Sequence, residues 1–138
     1  MKTIQPLSVF YHPRAGATIL RIVLAVLLLF HGWAKITGGV GWLVGMLGKM
    51  GLPGAFAYAV YLGEVVAPLL LLAGVFVVPA AAVIMINMIV AFLLVHTGHV
   101  FEIGQSGGWA LELQAFFFFS ALVVMLTHAP RSGGAQTG

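Results

Sequence analysis

Residues 15–36 read AGATILRIVLAVLLLFHGWAKI. Positions 22–30 carry no polar side chain at all. A bilayer core takes about 20 apolar residues in helical form, and this stretch supplies them. It ends in His31-Gly32-Trp33-Ala34-Lys35, bulky and charged, with no small-residue cleavage pattern. It therefore reads as a retained membrane span and not as a secretory signal. Three more stretches qualify as spans, at 55–78, 79–95 and 109–127. The expected fold is an all-α membrane protein, a four-transmembrane-helix bundle over 15–128. Residues 1–14 form an N-terminal segment and 129–138 a flexible C-terminal tail.

Composition points the same way. The chain has 138 residues, of which 62% are hydrophobic and 7% charged, and its mean hydropathy is +1.12. A soluble domain carries about a quarter charged residues, so an ordinary soluble enzyme and a disordered chain are both excluded. There is no cysteine, which removes disulfides, thiol exchange and thiolate-held metals. The net charge of +3 forms no basic patch, so no nucleic-acid partner is expected. Lys2, Arg14 and Arg131 flank the termini, with Arg21 just inside, while Lys35 and Lys49 fall at the other end. By the positive-inside rule both termini are cytoplasmic, in a bacterial-type inner membrane.

Spans two and three have no polar loop between them, and Pro79 is suited to the start of the third helix. The link 37–54 is rich in glycine, yet Trp42, Leu43, Met46, Leu47 and Met50 recur at helical spacing. That stripe predicts a short amphipathic helix between spans one and two; a plain glycine-rich loop is the rival reading.

Ionisable groups in a membrane are costly and mark function by default. At about 1.5 Å per residue, Glu64 lies about 14 Å down span two. His31, Lys35, His96, His99, Glu102 and Glu112 share its half of the bundle. This convergence predicts a polar pocket in the outer half. At about 100° per residue, Arg21, His31, Gly32 and Lys35 share one side of span one. Glu64 shares its side of span two with Ala57, Tyr61, Ala67 and Pro68. Pro68 clashes with the carbonyl four residues back, which belongs to Glu64, so the helix should loosen there. Glu112 and Gln114 lie about 200° apart; Glu112 is placed inward, because an ionised group has more to lose in lipid.

The candidate catalytic residues are Glu64, Lys35 and His31. Arg21, Tyr61, His96, His99, Trp109 and Glu112 are the candidate ligand contacts, and no metal site is expected. Each has a plainer reading. Glu64 with Lys35 or His31 could be a structural ion pair. His96 and His99 could be solvated at the interface, and Arg21 could snorkel to headgroups. Asn87 suits an interhelical hydrogen bond. Trp33, Trp42 and Trp109 suit interfacial anchoring. A phosphate-cradling loop, HExxH and Gly-x-Ser-x-Gly are absent, and a lone histidine pair is too little to argue for haem.

The residues also resemble a known family. Arg21, then LFHGWAKI at 29–36, Gly51-Leu52-Pro53, Gly63-Glu64 with the apolar run to Gly74, Ala91, His96, and Gly108-Trp109-Ala110-Leu111-Glu112 are similar to the DoxX family of small four-span membrane proteins. The family usually has Arg or Lys between spans two and three, where this chain has Val77-Val78-Pro79. The usual glycine-rich, acidic finish is replaced by His128-Ala129-Pro130-Arg131. The resemblance implies a membrane component of oxidoreductase systems, including sulfur-compound and quinone-linked ones. It carries Arg21, Lys35, Glu64, His96 and Glu112 over as the recurrent polar positions. The leading expectation is a redox-system membrane subunit that binds a quinone-like or other small molecule, acting with a protein partner or as a homo-oligomer. A small transporter with Glu64 as coupling carboxylate and a scaffold or assembly factor are the alternatives.

Overall fold

A computed structural model describes residues 7–96, 98 and 100–129, with Val95 and His96 described by backbone only. Lys2, His99, Arg131 and the expected flexible tail from 130 onward lie outside the described residues, as does the side chain of His96.

The first stretch becomes α1, Pro13–Gly38. Pro13 occupies its first turn, where the missing N–H costs nothing. Lys35 lies in its last turn, complementing the helix dipole, and Gly39 at φ 77° turns the chain away. The linker stripe is helical: α2 runs Gly41–Lys49 and buries Leu43 and Leu47. Its end is closed by N–H bonds from Gly51 to the Gly48 carbonyl (3.1 Å) and from Leu52 to the Leu47 carbonyl (2.9 Å), a Schellman pattern that needs the left-handed Gly51.

The second apolar stretch is not a uniform helix. It opens with a 3₁₀ segment Gly54–Ala59, widens to a π-helix Leu62–Val66, and only then becomes α3, Ala67–Ala73. The wide turn contains Glu64, whose carbonyl Pro68 cannot serve with an N–H. The break between the second and third helices falls earlier than the expected junction at 78 and 79. Gly74 and Phe76 are both left-handed, and a second Schellman pair, Gly74 to Leu71 and Val75 to Leu70, ends α3. Then α4 runs Val77–Ala91 and continues as a π-helix Phe92–His96. Pro79 sits in its first turn.

The last helix, α5, is Glu112–Thr127, and it starts later than position 109. Residues 100–110 fold back on themselves: Ile103 bridges Trp109, Ala110 N–H donates to the Glu102 carbonyl, and the Trp109 indole N–H donates to the Val100 carbonyl at 2.6 Å.

Helix α1 packs against α3 and α5, and α4 packs against the same two, so the four make a ring. The shared core is small-featured: Ala25, Ala67, Ala80, Ala81 and Ala121 alternate with Leu28, Leu71, Ile84 and Val124. Small residues let helix backbones approach closely, which drives association where lipid is as apolar as the core. The large apolar residues face out, with Phe30, Trp33, Leu62, Leu69, Ile86, Phe116 and Phe119 all exposed. A second cluster joins α2 to the 3₁₀ segment through Val40, Leu43, Leu47 and Ala57.

Three helices are long and apolar enough to cross a membrane: Pro13–Gly38, Gly54–Ala73 and Val77–Leu94. With α5 a shorter apolar fourth, the protein is a multi-pass, all-helical membrane protein. Because lipid supplies no transfer gain for burial, Ile84→Ala should cost chiefly its cavity, about 1–2 kcal/mol. The outward-facing Leu69→Ala should cost within about 0.5 kcal/mol. Denaturant titration in mixed micelles compares the two.

Candidate functional site

At the end of α1 the Lys35 Nζ donates to Glu64 Oε1 at 2.6 Å. Glu64 is 5% exposed, and the only other buried polar residue among those described is Ser120. Asn87, from the facing side of α4, donates its amide N–H to Glu64 Oε2 at 3.1 Å. Each carboxylate oxygen thus has its own donor, one charged and one neutral, which offsets the cost of holding the group away from water. The Tyr61 hydroxyl, one turn before Glu64, donates to the Lys35 carbonyl at 2.9 Å. It ties the base of the lysine to the helix that carries its partner.

Two glycines make this contact possible. A Cβ on Gly32 would collide with the Glu64 carbonyl and approach the Val65 side chain at 2.8 Å. The Glu64 carbonyl, to which Pro68 cannot donate, lies directly against α1. A Cβ on Gly63 would strike the Asn87 side chain. The wide turn, the proline and the two glycines together set Glu64 between α1 and α4.

A cavity of about 520 Å³ opens beside the ion pair. His31, Lys35, Glu64, Asn87 and Gln114 contribute its polar groups, and Leu28, Phe56, Val60, Ile86, Leu94 and Phe117 are among its apolar lining. Trp42, Leu43 and Leu47 of α2 close one side. The His31 ring meets Phe117 edge-on, centroids 5.5 Å apart, which fixes the imidazole at the wall. A lysine has three donors, and one is used on Glu64. The remainder, with the second Asn87 amide N–H and the imidazole, offers hydrogen bonds to a polar atom at one edge of an apolar chamber.

Of the sequence candidates, the structure brings together Glu64, Lys35, His31 and Tyr61. Among the described side chains, it does not gather Arg21, Trp109 or Glu112 there. The inward placement of Glu112 is corrected: Glu112 is exposed, first in α5, with its carboxylate folded against Gly108. At a helix N-terminus an acid is favoured without a buried partner, so the charge needs no shelter. Gln114 is the half-buried polar residue of α5 that lines the cavity. Trp109 instead secures the 100–110 segment. Arg21 sits at the opposite end of α1, against Gly74. Among the described residues no three side chains gather as metal ligands. Asn87 and Gln114 were absent from the candidate ligand set; Asn87, an amide in an otherwise apolar helix, was the signal available for the first.

The geometry gives two expected outcomes. Gly32→Ala should force α1 from the wide turn, lengthen the Lys35–Glu64 contact and lower the melting temperature in detergent by several degrees. Gly16→Ala, whose Cβ meets nothing within 4 Å, should not. Separately, Lys35→Met or Glu64→Leu alone should destabilise by about 3–5 kcal/mol, and the double variant by much less, because each single change strands a buried partner.

A DoxX family model matches residues 16–97, which takes in all but the first three residues of α1, then α2, the wide turn with Glu64, α3 and α4. No curated protein and no solved structure matches the chain. The matched region contains the whole Lys35–Glu64–Asn87 cluster, and the chain belongs to the DoxX family.

Proposed function

We propose that the protein is a membrane subunit of a redox system and binds a small, largely apolar molecule with a carbonyl head, of the quinone type, beside Lys35 and Glu64. The observation that carries this reading is the cavity itself. Its volume lies within the roughly 300–1,000 Å³ of small-molecule sites, its walls are apolar, and its donors cluster at one edge. A quinone's ring and tail suit the walls, and its carbonyls suit the Lys35 ammonium and the His31 imidazole. When bound, such a group supplies electron acceptance coupled to proton uptake. The chain's own part is to bind and orient the head, exclude water, and hold a proton at Glu64 or His31. Electrons come from a protein partner.

One observation favours a second reading, a scaffold in which the cluster only locks the helices. Both Glu64 oxygens are already engaged, so the pair is complete without a ligand.

Lipid extraction and absorption spectroscopy of the purified protein separate the two. On the binding reading, wild-type protein retains or takes up quinone. His31→Ala, which leaves the ion pair in place, lowers that uptake by about tenfold, the loss of one good hydrogen bond. A quinone-free protein that takes up none, and loses only melting temperature on Glu64→Gln, supports the scaffold.

A further inference from the structure

The end of the bundle away from Lys35 holds a different unsatisfied group. Arg21 lies nine positions into α1, about 12 Å from its start by the helical rise. Residues 14, 21, 28 and 35 recur at heptad spacing and so share one stripe. Leu28 on that stripe is fully buried, so Arg21 faces the bundle and not the surrounding lipid. Its guanidinium rests on the left-handed turn that ends α3. A Cβ on Gly74 would come within 2.8 Å of Arg21 Nη1.

The turn offers Arg21 little. The Leu70 and Leu71 carbonyls already accept from Val75 and Gly74. Arg21 Nε is buried without a hydrogen-bond partner, and among the described residues no salt bridge reaches the guanidinium. The three acidic side chains, Glu64, Glu102 and Glu112, all belong to other parts of the molecule. Glu64 is held by Lys35, which lies about 21 Å further along α1. Arg14, two turns nearer the helix start on the same stripe, adds a second positive charge. The Arg21 side chain is half-buried, its guanidinium is permanently charged, and such a charge is costly in a membrane without an anion. Helical side chains tilt toward the N-terminus, so the Arg21 head is directed to the bundle end, where headgroups lie.

We propose that Arg21, lying on the Gly74 turn with Arg14 above it, forms a site for a phosphate oxyanion, carried by an anionic phospholipid headgroup or free in solution. The planar fork of Arg pairs with two phosphate oxygens at once, and glycine at position 74 leaves the room for it. This site is independent of the cavity beside Glu64.

Native mass spectrometry of the full chain in neutral detergent, titrated with phosphatidylglycerol, tests it. Wild-type protein should retain the lipid, and Arg21→Gln should weaken retention about tenfold, the loss of one charge-assisted hydrogen bond. Inorganic phosphate added in competition identifies the source. Displacement of the lipid assigns free phosphate, and no displacement assigns the headgroup. Equal retention by wild type and Arg21→Gln, with no effect of phosphate on either, overturns the proposal. A measurement on wild type alone covers a variant that does not fold. Phenylglyoxal labelling of Arg21, read by peptide mapping, should be slowed by phosphatidylglycerol or phosphate, and labelling unchanged by both is the contrary result.

Discussion

A carboxylate 5% exposed inside an apolar helical protein is the constraint on which the rest of the structure turns. Glu64 can be held there only if both oxygens find donors. Lys35 comes from α1 and Asn87 from α4, so satisfying one side chain fixes three helical segments relative to one another. The backbone takes part as well. Pro68 withdraws a donor, the helix widens over Leu62–Val66, and the Glu64 carbonyl moves against Gly32. Removing Lys35 or Asn87 leaves a Glu64 oxygen without its donor.

The remainder of the packing is suited to lipid. Apolar burial yields little where the solvent is itself apolar, so close contact between small residues does the work of association. This accounts for alanines at the centre of the ring and phenylalanines on its outside. It also accounts for the cavity. The ring closes tightly where alanines meet, around Ala81 and Ala121. It stays open toward Lys35, where Phe117, Leu94 and the α2 side chains line the cavity.

The two ends of α1 present contrasting electrostatics. At one, Lys35 is neutralised by Glu64 and its carbonyl is held by Tyr61. At the other, Arg21 rests against the Gly74 turn and its Nε is buried without a hydrogen-bond partner. The same helix thus carries a closed pair and an open cation on one stripe. The closed pair orders the fold, and the second cation has no ion-pair partner among the described residues.

The sequence by itself determined the membrane setting, the helical class, the positions of α1 and α2 and the loosening at Pro68. These follow from local quantities: hydropathy over a window, helical spacing, and the chemistry of proline. It also brought Lys35, Glu64 and His31 to one level, because rise per residue converts position into depth. Only the tertiary structure decided which partners meet. Glu112 and Gln114 are two residues apart, and periodicity separated them without saying which faced inward. The packing of α5 against α1 and α4 turned Gln114 to the cavity and left Glu112 at the helix end. Asn87 became a donor to Glu64 because Gly63 lets α4 approach closely. Rotation of one helix against another is set by contacts between distant residues, and no pattern within a single segment contains it.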